Sequence, residues 1–312
     1  MTEAPLPFLE GSGQNRLSFE HIDQQYQLKV RSFIGLCMPP TFGHLEQAFD
    51  LRGLRAEGTI PIMFFLQFET YPQPLAFGGR VETHHKVYLR RSVVPGPPGH
   101  SAGKVERLLL DMHIDVNARE GVADPQLLGA RPDIERRMVP AGRMRGVHVL
   151  TRPVAPPGQR QVLAVPPQLQ GLQEHPWAEP YPSAELLRSV PEGYLEHATG
   201  PWHEMRSVWA LHNTDVNQHV NVHEYLTTME NHFARQLFGA NLPVARHRIA
   251  RTSILFRKPS FMGDPHALRG ALYTDDHHTL MLGGVHRVEP EGGLDPQPSV
   301  FARMEGVIEP AG

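Results

Sequence analysis

The sequence predicts an α+β chain built as two similar units in tandem, each an antiparallel sheet wrapped around a central helix. Three observations predict it. The chain has 312 residues, more than the roughly 100–200 of one ordinary domain. A series of strand-like runs with one helix-like run occurs on each side of a proline-rich stretch. Within each series the strands follow one another through short turns, which favours antiparallel pairing.

Residues 1–16 are polar and contain Gly and Pro, and are expected to form a loose lead-in. The residues from Leu17 to Ile34 suit an extended strand, and a short helix is expected from Gly43 to Leu54, with Leu45, Ala48, Phe49 and Leu54 on one face. Extended runs follow at Ile60–Thr70, Gly79–Arg91 and Lys104–Val116, and near Gly146–Thr151. In the second of these, Val81, Thr83, His85, Val87 and Leu89 alternate with polar residues, the period of a half-buried strand.

Prolines then crowd the chain from Arg152 to Pro191. Each removes a backbone donor and fixes φ, so this stretch is expected to be a linker rather than a central strand or a long helix. The expected division is a first unit over 1–151, a proline-rich linker over 152–191 and a second unit over 192–312. In the second unit His203–Leu211 is strand-like. Val220–Phe238 is the strongest helix in the sequence, with Val222, Tyr225, Leu226, Met229, Phe233 and Leu237 at three- and four-residue spacings. Strands are expected again at Arg246–Arg257, His266–Thr274, Leu280–Val288 and Val300–Ile308. A sheet curled round one apolar helix buries the hydrophobic faces of both. That is the hotdog arrangement, and two in one chain make a double hotdog.

Composition narrows the function. A formal net charge of -3 lacks the basic excess of a general nucleic-acid binder. Cys37 is the one cysteine, so no intrachain disulfide and no cysteine-based zinc site can form, as in a reducing compartment. The start of the sequence lacks a basic segment followed by an apolar run. No stretch reaches the roughly 18–20 apolar residues of a membrane span. A cytoplasmic protein without membrane insertion is expected.

The stretch from Asn213 to Tyr225, with Asp215-Val216-Asn217-Gln218-His219-Val220-Asn221 at its centre, resembles the acyl-ACP thioesterases of plants and bacteria. More loosely it resembles the 4-hydroxybenzoyl-CoA thioesterase-like hotdog superfamily. In that family an Asp-x-Asn-x-His-Val-Asn-Asn stretch leads from a strand into the central helix, the same position as here. Val30-Arg31-Ser32-Phe33 is similar to the family's Val-Arg-Ser-Tyr near the start of the first hotdog, and the run from Phe256 to Asp264 to its strand ending in Gly-Asp. Two departures stand out. Val222 replaces the family's second Asn, and the family's Glu-Cys pair falls near Pro259-Ser260, so that acid and thiol are both missing.

The resemblance implies hydrolysis of a fatty or polyketide-like acyl thioester on an acyl carrier protein or coenzyme A, without a cofactor or metal. Asp215, Asn217 and His219 are the expected catalytic residues. His219 would be the general base on a water, a role suited to an imidazole. Asp215 would orient His219 and Asn217, or attack the carbonyl, and Asn217 would place water or substrate. The start of the helix offers N–H groups and a positive dipole end for a developing oxyanion. Asn221, Tyr225, Ser260, Arg257 and Lys258 are the expected substrate contacts, and the Arg246, Arg248, Arg251, Arg257 and Lys258 cluster would meet an acidic carrier or a CoA phosphate. The plainer reading is that Asp215 and Asn217 only cap the helix and that the basic cluster is a solvated strand face. A dehydratase or isomerase on a carrier-bound 3-hydroxyacyl chain, a non-catalytic acyl binder, and a homodimer of such chains all stay open.

Other motifs carry less. Gly99-His100-Ser101-Ala102-Gly103 matches a nucleophile elbow, but prolines precede it and a strand-like run follows, so a loop is expected. His113-Ile114-Asp115 has iron-site spacing, and His219 and His223 have helical metal spacing. With 19 histidines in the chain, chance accounts for the first; in the second no Glu completes an H-E-x-x-H, and with His219 catalytic His223 is expected at the surface or behind His219. The pairs His84-His85 and His277-His278 would point to opposite faces of a strand.

Overall fold

The computed structural model describes residues 5–95, 104–121, 137–215 and 218–309. The chain divides into two compact units, one comprising Met1–Leu66 and Tyr71–Tyr181, the other Gln67–Thr70 and Pro182–Gly312.

The first unit contains the strands β1 (Leu9–Arg16), β2 (Ile60–Thr70, its last four residues grouped with the second unit), β3 (Arg80–Pro95), β4 (Lys104–Arg119) and β5 (Met138–Thr151). Its helices are α1 (Ser32–Ala48) and α2 (Leu51–Ala56). The strand order is β1-β3-β4-β5-β2, and β3 pairs antiparallel with both β1 and β4. Residues Leu9–Arg16, expected to be loose, thus form an edge strand. Gly11 and Gly13 make it possible: a Cβ at Gly11 would lie 2.1 Å from His44 Nδ1, and one at Gly13 would lie 2.5 Å from Pro40 Cβ. Without those side chains α1 rests directly on β1.

The expected strand over Leu17–Ile34 is not formed. Turns occupy that stretch, and α1 begins at Ser32, well before the expected helix start at Gly43. The helix runs through Pro39 and Pro40. Proline cannot supply the N–H that would reach the carbonyl four residues back. For Pro40 that carbonyl is Leu36 O, and Asn15 Nδ2 donates to it from β1 at 3.4 Å. Phe33, Leu36, Cys37 and Leu45 are buried, so tertiary packing holds the helix against the local cost of its prolines.

The proline-rich stretch up to Tyr181 belongs to the first unit. Val162, Leu169 and Leu172 are buried, and β6 (Glu174–Pro176) pairs parallel with β3 at Leu89–Arg91, beyond the end of β1's pairing. Beneath it Asp111 is fully buried. It accepts from Arg90 Nε at 2.8 Å, from Arg145 Nε and Nη2 at 2.8 and 2.9 Å, and lies 3.0 Å from His113 Nε2. Trp177 lies under the Arg145 guanidinium, and Tyr181 stacks on Phe64. His113 is therefore turned to Asp111 while Asp115 pairs with Arg143, so the His-Ile-Asp stretch does not converge on one point.

The second unit contains α3 (Ala184–Arg188), β7 (Leu195–His197), β8 (Glu204–Val208), α4 (Val222–Gly239), β9 (His247–Phe256), β10 (Pro265–Thr274), β11 (His278–Arg287) and β12 (Val300–Ile308). The strand order is β9-β12-β11-β10-β7, with β8 also on β10, and these pairs are antiparallel. The apolar spacing of α4 does its expected work: Tyr225, Leu226, Met229, Phe233 and Leu237 are buried. A Cβ at Gly306 would lie 3.2 Å from the Phe233 ring, so the helix sits close on β12. Along β10, β8 pairs with Pro265–Arg269 and β7 with Leu272–Thr274. In the gap between them Gln236 Nε2 donates to Gly270 O at 2.7 Å, satisfying an edge carbonyl from the helix. Among the described residues no helix is long and apolar enough to cross a membrane.

Candidate active site

The loop from Trp209 to Asn221 delivers the chain into α4, and Asn213 organises it. Its Oδ1 accepts from Ala210 N at 2.7 Å, its Nδ2 donates to Glu224 Oε2 at 2.7 Å, and its carbonyl accepts from Asn221 N at 2.8 Å. Asn221 in turn caps α4, its Oδ1 accepting from His223 N at 2.9 Å. The described residues on either side of positions 216 and 217 are joined by backbone hydrogen bonds. Gln218 N donates to Asp215 O at 2.9 Å and Asp215 N donates to His219 O at 3.0 Å, with Gln218 at φ 65°. These bonds place Asp215 and His219 opposite each other, both exposed, directly before the helix. Asn217 lies outside the described residues, as does the Gly99–Gly103 stretch.

A second segment closes the site. Val220 N donates to Ser260 O at 2.9 Å, and His219 pairs with Phe261 in an isolated bridge, their rings edge to face at 5.2 Å. The Phe261–Asp264 turn is fixed by Asp264 Oδ2, which accepts from Phe261 N at 2.9 Å, and by Gly263 at φ 82°. It is joined to the first loop through Trp209 N donating to Asp264 O and Gly263 N donating to Trp209 O. Leu211, Phe261 and Met262 remain exposed beside the turn, a concentration of apolar surface around a polar loop.

Ser260 and Tyr225 are both buried and lie beside each other. Burial pushes the Tyr225 phenol up, and Ser260 opposes that shift. Below them lies an aromatic set that sequence reasoning missed. Trp209 stacks on His266 at 3.9 Å, and Tyr225 meets Trp209 and Phe256 edge to face. Burial pulls His266 down to about 4, against the opposing influence of Asp264. Arg257 and Lys258 are engaged elsewhere: Arg257 donates to Pro298 O at 3.0 Å and to Gln297 Oε1, and Lys258 to Asp295 Oδ2 at 2.9 Å. In the wider basic cluster, Arg246 donates to Glu309 O, Arg248 pairs with Glu309, and Arg251 with Glu69. Among the described residues, no group of three or more His, Cys, Asp or Glu is placed to hold a metal ion.

Three solved structures match this one over nearly their whole lengths. A protein assigned as an oleoyl thioesterase, from Lactobacillus plantarum, aligns with a TM-score of 0.64 at 10% identity, covering 97% of this chain and 98% of its own. An acyl-ACP thioesterase from Bacteroides thetaiotaomicron aligns at 0.57 and 15% identity, covering 96% and 97%. The 12:0-ACP thioesterase from Umbellularia californica aligns at 0.55 and 11%, covering 95% and 93%. The chain has the hotdog-like fold of these thioesterases. No family model matches the sequence, and no curated protein matches it. Within this thioesterase fold, Ser260, the residue at the resembled family's Cys position, is buried against Tyr225.

Proposed function

We propose that this protein is an acyl-thioester hydrolase that releases a fatty or polyketide-like acyl chain from an acyl carrier protein or coenzyme A, in fatty-acid metabolism. In this reading the chain is a double hotdog, α4 is the central helix of the second, and the site lies at Asp215, Asn217 and His219. The observation that carries the reading is the exposed Asp215–His219 pair at the start of α4, in a chain whose fold matches acyl-ACP thioesterases almost end to end.

The chemistry follows from what the site exposes and what it buries. Ser260 is buried beside Tyr225, which removes it as a ready nucleophile. Water is then the attacking group. His219 takes a proton from that water as its oxygen bonds to the thioester carbonyl carbon. The positive end of α4 favours the negative charge that develops on the carbonyl oxygen. The carbon–sulfur bond breaks, the sulfur receives the proton, and a carboxylic acid and a free thiol leave. Asp215 holds His219 in place, and the exposed Leu211, Phe261 and Met262 give the acyl chain an apolar approach.

The test is a panel of acyl-CoA and acyl-ACP thioesters assayed for thiol release, with His219→Ala beside the wild type. Release by the wild type, reduced about 100-fold or more in the variant, is the expected result. An unsaturated product with its thioester intact would instead identify a lyase. Binding without turnover on every substrate would identify an acyl-binding protein.

A further inference from the structure

The second unit has a cavity of about 450 Å³ on the face of its sheet away from α4. The side is fixed by Gly270, whose absent Cβ would point at His232 and Gln236 of α4. Its neighbours Arg269 and Ala271 therefore point the other way. The cavity floor is apolar, made by Ala271 of β10, Leu282 of β11 and Phe301 of β12, with the buried Leu187 of α3 as a wall. Gly284 leaves room for Pro298 to close one side, since a Cβ there would lie 2.7 Å from Pro298 Cβ.

The charged side chains of the lining, Arg188 and Arg269, are both cations. Arg188, Arg269, His203 and His286 line the cavity, and no carboxylate does so among the described residues. Arg269 is partly neutralised by Glu204 at 3.4 Å, but Glu204 is closer to Arg206, at 2.7 Å. Arg188 is different. It lies over the Phe301 ring at 4.6 Å, and no carboxylate among the described residues pairs with it. A guanidinium braced on an aromatic face keeps its N–H fork free for a bidentate carboxylate.

We propose that this cavity binds an alkyl carboxylate, with the carboxylate on Arg188 and the hydrocarbon chain over Ala271 and Leu282. The aliphatic floor suits a methylene chain. A nucleotide base would need the face of Phe301, which the guanidiniums of Arg188 and Arg257 already approach, at 4.6 and 5.7 Å. The cavity volume falls within the usual range for small-ligand sites, about 300–1,000 Å³. This site is separate from the turn that carries His219 and stands whether or not that turn hydrolyses thioesters.

The test is calorimetric titration of the full chain with sodium dodecanoate below its micellar range, with 1-dodecanol and ATP as comparison ligands. Dodecanoate should bind at one site and dodecanol markedly less well. Arg188→Gln, a surface change, should weaken dodecanoate about tenfold or more, and Leu282→Trp should fill the floor and abolish binding. His219→Ala should leave it unchanged. Circular dichroism confirms that each variant is folded. No binding by the wild type overturns the proposal. So does affinity unchanged in both cavity variants, affinity lost in His219→Ala, equal binding of dodecanol, or displacement of dodecanoate by ATP.

Discussion

Asn213 donates its Nδ2 hydrogen to Glu224 Oε2 at 2.7 Å, tying the loop of Asp215 and His219 to the first turn of α4. Its Oδ1 holds Ala210 N at the same time. Asn213→Asp keeps the acceptor for Ala210 but sets two carboxylates against each other. It should lower the melting temperature and turnover together, at a cost of about 1–3 kcal/mol. Glu224→Gln restores a donor–acceptor pair, so the double variant should regain most of both properties. Melting curves and thiol-release rates measure this. A double variant as impaired as Asn213→Asp alone would show that the pair does not position the turn.

Acid should destabilise the protein in two stages. Burial pulls His148 down to about 4 from its ordinary 6.5. The unfolded chain therefore takes up that proton first, and the stability from keeping His148 neutral, full above 6.5, is lost as pH falls towards 4. His85, His232 and His266 are drawn down to about 4 in the same direction, chiefly by burial. Burial alone would raise the Asp111 carboxyl, but its bonds from His113 and Arg145 prevail and hold it at about 2 against an ordinary 3.8. Its contribution is full above 3.8 and disappears as pH falls towards 2. Urea unfolding across this range should show both losses. Asp111→Asn should remove the lower one and destabilise the protein near neutrality by about 3–5 kcal/mol, because Arg90 then faces no carboxylate and Arg145 keeps only Glu179. An unaltered lower limb in that variant would sink the assignment.

Pro40 leaves Leu36 O without its helical donor, and Asn15 Nδ2 serves it from β1. Asn15→Ala should cost about 1 kcal/mol. Pro40→Ala restores a backbone N–H to the same carbonyl, so Asn15→Ala should cost less in that background. A double-mutant cycle from denaturant midpoints reads the coupling directly. Additive effects would mean that the contact contributes nothing.

The difference in how α1 and α4 could be read from sequence has the same origin. In α4 the helical period is carried by side chains that do bury, Tyr225, Leu226, Met229, Phe233 and Leu237. In α1 the Pro39-Pro40 pair hides an equally buried face, because the compensating donor is Asn15, on a strand that itself lacked a readable pattern. That strand, β1, is shaped by the space Gly11 and Gly13 leave, and missing side chains write no periodicity. The proline-rich stretch looked like a linker for the same local reason; its ordering comes from Leu169, Leu172 and Trp177 meeting the first unit. At the candidate site the Asp215–Asn221 signature was legible because it is contiguous. Trp209 and His266 were not, since they stack across a long separation in sequence. Asn213 stood in view, but its importance comes from bonds to Ala210, Asn221 and Glu224 that only the folded loop creates.

Leu211, Phe261 and Met262 are 74%, 40% and 55% exposed, an arrangement that leaves apolar area in water until something covers it. If the acyl chain of a thioester is that cover, the benefit grows with chain length, by up to about 0.8 kcal/mol for each methylene buried. The Leu211→Ser, Met262→Ser double variant should therefore raise KM several-fold for long acyl chains while leaving kcat, and the KM of a two-carbon thioester, near the wild-type values. Both residues are more than half exposed, so folding should be little affected. Kinetics over a series of even-numbered acyl-CoAs supply the measurement, with the slope of log kcat/KM against chain length as the readout. A slope unchanged by the double variant would place the acyl chain elsewhere. A uniform loss across the series, short chains included, would mean that these side chains support the turn rather than meet the substrate.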